Sequence, residues 1–174
     1  TPHINQSITG RNLLRTLGLE SSDMMRNEEA WSPIPISVAA HMQLKSLPHN
    51  MNPQRHPGRR KARADYYIRR YNNCGDILYV DAAVGPLEET ATAAAMTEDG
   101  RISISASVKT ARPNVAEGVA LALAVMHAAV DSTITEICTD SQSAYRYFRQ
   151  GIASKTISRI LSNIYSLLHP MTIM

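Results

Sequence analysis

The chain has 174 residues, which leaves room for one domain of ordinary size and an additional segment. Its composition is 44% hydrophobic but only 5% aromatic, so a core has to be built mainly from Ala, Ile, Leu, Val and Met. The net charge of +3 conceals an asymmetry: residues 1–73 carry 11 Lys and Arg against 5 Asp and Glu, whereas residues 74–174 carry 7 against 10. The basic first part is therefore a candidate surface for a polyanionic partner.

Membrane and secreted proteins are disfavoured by the pattern of the chain. The longest apolar helical run is interrupted by Glu117 and His127, too early for a membrane span, so no membrane association is predicted. No secretory signal peptide is visible. Cys74 and Cys138 do not have the spacing of metal ligands and are interpreted as free thiols in a reducing compartment. We therefore expect an intracellular protein, either nuclear or cytoplasmic.

Residues 1–73 divide into two segments. Residues 1–50 are weakly patterned, with a short helix predicted at 12–19 and an extended segment at 31–36, where two prolines disfavour helix. Residues 51–73 contain a linker with several prolines and then a basic helix. This helix either faces solvent or binds nucleic acid, in which case its cations neutralise phosphates and its tyrosines stack on bases. The candidate nucleic-acid-binding residues in it are Arg59, Arg60, Lys61 and Arg63.

The third segment, residues 74–170, has the strongest pattern. Strands are predicted at residues 76–84, 90–97, 102–108 and 134–139, with an Asp-Gly hairpin turn at 98–101. Helices are predicted from an N-cap at Asn114 to Val130, from Asp140-Ser141 to Arg149, and from a cap at Ser154 to about residue 168. The order β-β-β-α-β-α-α predicts an α/β fold in which an antiparallel meander is joined by a fourth strand, parallel to the first.

Three carboxylates in this segment lie in apolar surroundings. Asp81 interrupts a buried strand, Glu117 is the only acid of a helix that is apolar on most sides, and Asp140 ends the fourth strand. Acids are rarely buried unless they are paired or bound to a metal. The predicted topology brings all three to the carboxyl edge of neighbouring strands, so we expect them to converge on a metal site suited to phosphate chemistry.

Each acid also has a simpler structural explanation. Glu117 fits a capping box with Asn114, in which its side chain would return to the helix N-cap. Asp140 could cap the helix that begins at Ser141. Asp81 could be neutralised by a neighbouring Lys or Arg. None of these alternatives explains why the three acids occur together in one topological unit.

The segment resembles the type-I ribonuclease H family, the domain that follows reverse transcriptase in retroelements. The resemblance covers about residues 74–168 and rests on residues 78–83 (LYVDAA), 116–123 (AEGVALAL) and 138–144 (CTDSQSA). The order Asp, Glu, Asp is typical of this family, whereas related integrases and transposases usually end on a helical Glu after two aspartates. Residues 47–63 are also similar to the connector between polymerase and ribonuclease H in non-LTR retrotransposons, particularly those of arthropod genomes such as ticks.

The resemblance implies a ribonuclease H-like mixed sheet and hydrolysis of the RNA strand of RNA–DNA hybrids, in a protein fused to a reverse transcriptase. It implies that Asp81, Glu117 and Asp140 are both catalytic and metal-binding, with Mg²⁺ in a two-metal site and Mn²⁺ as a possible replacement. Residues 1–50 would then be a remnant of the polymerase connection. Three side chains that follow the third acid would contact the hybrid: Ser141, Gln142 and Arg146.

The chain departs from the family at its C-terminal end. The family usually has a fifth strand and a last helix with a fourth metal-binding Asp, preceded by a helpful His. The sequence indicates neither, and His169 lies too early, so we expect the fifth strand to be missing. The alternative function is therefore a truncated or degenerate module that binds nucleic acid without cleaving it.

Overall fold

The computed structural model describes residues 31–46, 52, 54–72, 74–85, 90–110, 112–164 and 171–174. The helices are α1 (Ile36–Ala39), α2 (Pro57–Tyr71), α3 (Pro113–Val130), α4 (Gln142–Arg149) and α5 (Lys155–Ser162). The strands are β1 (Trp31–Pro33), β2 (Met42–Leu44), β3 (Ile77–Val84), β4 (Ala91–Met96), β5 (Ile102–Val108), β6 (Glu136–Thr139), β7 (Ile152–Ser154) and β8 (Met171–Ile173). The helix predicted at residues 12–19, most of the linker, and the end of the last predicted helix lie outside the described residues.

The main sheet confirms the central part of the predicted topology. Its six strands have the order β2-β8-β6-β3-β4-β5. β3, β4 and β5 form the antiparallel meander, and the Asp-Gly turn between β4 and β5 places Gly100 at a φ of 77°, which glycine adopts without strain. β6 lies parallel to β3, with Ile77 opposite Glu136 and Val80 opposite Thr139. The fold is thus α/β, with a mixed sheet flanked by helices.

The expectation that no strand follows β6 in the sheet is wrong. β8 lies parallel to β6, with Ile137 opposite Ile173, and β2 lies parallel to β8 on its other side. A second, two-stranded sheet pairs β1 with β7. These strands have three residues each, too few to display the period-two pattern from which longer strands are recognised. β1 and β2, which precede the expected boundary near residue 51, pair with β7 and β8, which follow it. Strands on the two sides of this boundary therefore belong to the same sheets.

The core is organised around α3. This helix packs on β3 and β4 and against α5, and its buried residues are mainly Ala, Val and Leu. By length and composition α3 could span a membrane, but 67% of that window is buried inside the protein, so its apolar character is explained by the core. Gly118 lets α5 approach closely, because a Cβ at this position would lie 2.5 Å from Cδ1 of Ile157.

Candidate metal centre

The structure brings the three predicted acids together. Asp81, Glu117 and Asp140 each offer a carboxylate oxygen, and these oxygens lie within 4.8 Å of one another. The three residues belong to β3, to α3 and to the turn after β6, so the cluster depends on the tertiary fold rather than on local sequence. The spacing of the oxygens allows a single cation to contact all three side chains.

Asp81 reaches the cluster because β6 is shorter than β3. The pairing of the two strands ends at Val80 and Thr139, so Asp81 and Asp140 both follow directly at the same edge. Asp81 is exposed, and its Oδ1 accepts a hydrogen bond from the amide of Ala82 at 2.8 Å. Among the described residues the ion pairs are formed by other acids, so neutralisation of Asp81 by Lys or Arg does not explain its position.

Glu117 does not belong to a capping box. The N-cap of α3 is Arg112 rather than the predicted Asn114, so Glu117 lies two residues beyond the N3 position from which a glutamate returns to the cap. The prediction failed because Pro113 occupies the first helical position, where its fixed φ favours the start of a helix. Glu117 is half-buried, and within the described part of the chain its buried Oε2 has no hydrogen-bond partner.

The electrostatic surroundings of Glu117 favour its protonated form when no cation is bound. Loss of solvation raises the pKa of Glu117 to about 7, and the negative charges of Asp81 and Asp140 act in the same direction. A carboxylate with a buried, unpartnered oxygen beside two other acids is stabilised by a bound cation, which would replace the lost solvation and neutralise the repulsion.

Asp140 does not cap α4. Ser141 is the N-cap, and its Oγ accepts a hydrogen bond from the amide of Ala144 at 3.2 Å. The turn before it is fixed by Thr139, whose Oγ1 accepts from the amide of Ser141 at 3.1 Å. The carboxylate of Asp140 is therefore not required for the helix terminus, and it remains exposed beside the other two acids.

The donor set is suited to a hard divalent cation. The three carboxylates of the cluster offer oxygen ligands, which hard divalent cations prefer and softer metals do not. An open cavity of about 380 Å³ adjoins the acids. It is lined by Tyr79, Val80, Asp81, Cys138, Thr139 and Asp140. Asp81 and Asp140 can thus be reached from solvent through this cavity.

The remaining predicted site residues lie at two places. The hydroxyl of Ser141 is engaged in the cap, whereas Gln142 and Arg146 are exposed on α4, directly after the third acid. The basic residues of the first predicted set lie on α2, a separate element that contributes nothing to the acid cluster: Arg59, Arg60, Lys61 and Arg63. The structure therefore separates the candidate nucleic-acid contacts into one group beside the acids and one on α2.

Four cavity residues, Tyr79, Val80, Cys138 and Thr139, were not identified as site residues from the sequence. Tyr79 and Cys138 lie opposite each other in the parallel pairing of β3 and β6, next to the acids. Burial raises the pKa of Cys138 to about 11, so this thiol is protonated and has little nucleophilic character at neutral pH. The sequence predicts that these two strands are parallel and end at the same edge. Applying that register residue by residue would have placed Tyr79 and Cys138 beside the acids.

Comparison with known proteins adds no assignment. No protein-family model matches the chain, and a search of curated proteins finds no significant match. What the molecule itself establishes is a mixed α/β sheet with a cluster of three acids that could hold a metal ion.

Proposed function

We propose that this chain is a metal-dependent endonuclease of the ribonuclease H type, which hydrolyses the RNA strand of RNA–DNA hybrids within a retroelement protein. The observation that carries the proposal is the convergence of Asp81, Glu117 and Asp140 within 4.8 Å at one edge of the sheet. The order of the acids along the chain and the mixed sheet beneath them are compatible with that family.

The chemistry follows from the donor set. When bound, Mg²⁺ ions would activate a water molecule and stabilise the oxygen that leaves the phosphodiester. Asp81, Glu117 and Asp140 would hold the metal, because each offers a carboxylate oxygen to the same place at the edge of the sheet. Glu117 would release its proton on metal binding. The exposed Gln142 and Arg146 follow Asp140 closely enough to contact the backbone of the hybrid.

A second function is favoured by one observation. Within the described residues the cluster contains three acids, and no fourth carboxylate joins it. A second metal ion would then have an incomplete set of protein ligands. The alternative is a non-catalytic module that binds nucleic acid and retains one cation at most.

Cleavage of a labelled RNA–DNA hybrid separates the two functions. We expect the chain to cut only the RNA strand when Mg²⁺ or Mn²⁺ is present. Asp81→Asn should reduce the rate by at least about 100-fold, because it removes a metal ligand and its charge. Glu98→Gln is the matched control, since it removes one negative charge from an exposed residue that is not part of the acid cluster, and its rate should be unchanged. Hybrid binding without cleavage by the unmodified chain would support the non-catalytic module.

Metal binding can be tested without cleavage. A cation that binds only the folded chain should stabilise it by about 2.7 kcal/mol at 100 times its dissociation constant. We expect this stabilisation in the unmodified chain and in Glu98→Gln, but not in Asp81→Asn. Thermal unfolding with and without Mg²⁺ or Mn²⁺ measures it. Equal stabilisation of all three proteins would show that the cation binds elsewhere.

A further inference from the structure

α2 is a basic helix that lies largely outside the core. Of its 15 residues only Tyr71 is buried. Its C-terminal end is anchored there: the hydroxyl of Tyr71 accepts a hydrogen bond from Nζ of Lys45 at 3.3 Å and donates to Sδ of Met174 at 3.1 Å. The helix carries six basic side chains and one acid, Asp65, so its charge is not required by the packing of the core.

Part of this charge lies on one side of α2. Arg59, Arg63, Tyr66 and Arg70 follow one another at spacings of four, three and four residues, which places them on a single helical face. We call these four residues the arginine stripe. At a rise of 1.5 Å per residue the stripe is about 16 Å long, enough to follow two or three consecutive phosphates of a nucleic-acid strand.

Tyrosine rings hold two of these arginines in place. The guanidinium of Arg63 lies 4.8 Å from the centre of the Tyr67 ring and donates to its hydroxyl. The guanidinium of Arg70 donates to the hydroxyl of Tyr66 at 3.2 Å and lies 5.5 Å from the Tyr71 ring. Such contacts restrict the side chains without neutralising their charge, so less conformational entropy is lost when an anion binds.

A second face of α2 has a different character. Lys61, Asp65 and Arg69 are spaced four residues apart, and we call them the acid-bearing face. Nζ of Lys61 forms an ion pair with Asp65 at 2.8 Å, and Nε of Arg69 donates to the carbonyl oxygen of Asp65 at 3.1 Å. Within the described residues, no carboxylate lies within ion-pair distance of Arg63 or Arg70. Arg63 and Arg70 of the arginine stripe therefore keep an unpaired positive charge, whereas Lys61, although it belongs to the predicted set of contacts, is paired with Asp65.

We propose that the arginine stripe binds the phosphodiester backbone of nucleic acid, independently of the acid cluster. Guanidinium groups on one helical face, of which those of Arg63 and Arg70 are held by tyrosine rings, are complementary to the regular charge of such a backbone. A membrane surface fits less well, because an interfacial helix needs an apolar face. The most exposed large apolar side chain of α2 is that of Ile68, at 68%. It lies two residues from both Tyr66 and Arg70, on the other side of the helix.

Two double variants with the same loss of charge test this proposal. Arg63→Gln with Arg70→Gln changes the arginine stripe, and Lys61→Gln with Arg69→Gln changes the acid-bearing face. Binding of a fluorescent RNA–DNA hybrid is measured at several salt concentrations in EDTA, with the full chain. The slope of log affinity against log salt should decrease in magnitude by about 2 for the stripe variant and much less for the matched control. Thermal unfolding checks that both variants remain folded.

The other outcomes overturn the proposal. Equal slopes for the two variants would mean that only total charge matters, and an unchanged slope for the stripe variant would assign it to solvent. Binding to anionic phosphatidylserine vesicles is measured in the same way. If the chain binds these vesicles more tightly than the hybrid, and the stripe variant loses that affinity, the stripe is assigned to a membrane. Because EDTA removes divalent cations, binding through the stripe is measured whether or not the chain cleaves the hybrid.

Discussion

Glu117 links the stability of the chain to pH. Its pKa is raised from the ordinary value of 4.5 to about 7 in the folded protein, first by loss of solvation and then by Asp81 and Asp140. Between these two pH values the folded state therefore holds the proton more tightly than the unfolded state does. The stability contributed by this proton is present below pH 4.5 and is lost as the pH rises through 7.

Glu117→Gln should remove this pH dependence. Without divalent cations, the free energy of unfolding of the unmodified chain should fall between pH 5 and pH 8 by more than that of the variant, because glutamine stays neutral throughout. Urea unfolding at the two pH values measures the difference. Saturating Mg²⁺ should reduce the fall in the unmodified chain only. Parallel pH profiles for the two proteins would show that Glu117 is ordinarily solvated.

At the scale of elements, the contact between α3 and α5 lies beside Glu117, on the first part of α3. Gly118 follows Glu117 directly, and a Cβ here would come within 2.5 Å of Cδ1 of Ile157 but 3.7 Å from its Cγ1. At the first distance the Ile157 side chain or one of the helices has to shift, whereas the second distance is an ordinary van der Waals contact. The close approach of the two helices is therefore limited by one methyl group.

Gly118→Ala and Ile157→Val should be coupled. Alone, Gly118→Ala gains about 1 kcal/mol of helix propensity but is opposed by an overpacking cost of about 1–3 kcal/mol. In the Ile157→Val background Cδ1 is absent, so the alanine should be stabilising. We expect a coupling free energy of about 1 kcal/mol or more from denaturant unfolding. Gly58→Ala in α2, where nothing lies within 4 Å of the added Cβ, should have the same effect in both backgrounds.

Helices and strands that are long enough to show a hydrophobic period could be predicted from the sequence. The three-residue strands, which are recognised only by their pairing with a distant strand, could not. β3, β5 and α3 were recognised because the pattern of each is longer than one turn or one pleat. The convergence of the acids followed from the order of these elements. The helix cap at Ser141 was assigned partly to Asp140, because adjacent Asp and Ser compete for the same role and only geometry decides between them.

At the scale of the whole molecule, residues 31–46 are part of the folded unit. Ile34, Val38 and Met42 are buried, and the carbonyl oxygen of Lys45 accepts a hydrogen bond from the hydroxyl of Tyr145. Nζ of Lys45 also forms an ion pair with Glu136 at 3.1 Å. This burial could not be predicted from the local pattern, because a short helix between two three-residue strands acquires its burial only from distant parts of the chain.

Val38→Ala tests how much this segment stabilises the protein. Val38 is 0% exposed, so the loss of two methyl groups and the cavity left behind should cost about 2–3 kcal/mol. Val130→Ala is the matched control, because Val130 is also helical but 68% exposed, and its effect should stay within about 0.5 kcal/mol. Urea unfolding measures both. Similar small effects would mean that residues 31–46 pack only loosely on the remainder.

The parallel pairing of β2 with β8 has a consequence for synthesis. Lys45, directly after β2, and Met174, directly after β8, are 129 residues apart, and in the described part of the sheet β2 has β8 as its only neighbour. At about 5–20 residues per second, a ribosome needs about 6–26 s to translate the intervening chain. β2 therefore emerges long before its partner exists. The sheet can be completed on this side only after Asp81 of β3 and Asp140, which follows β6, have been translated.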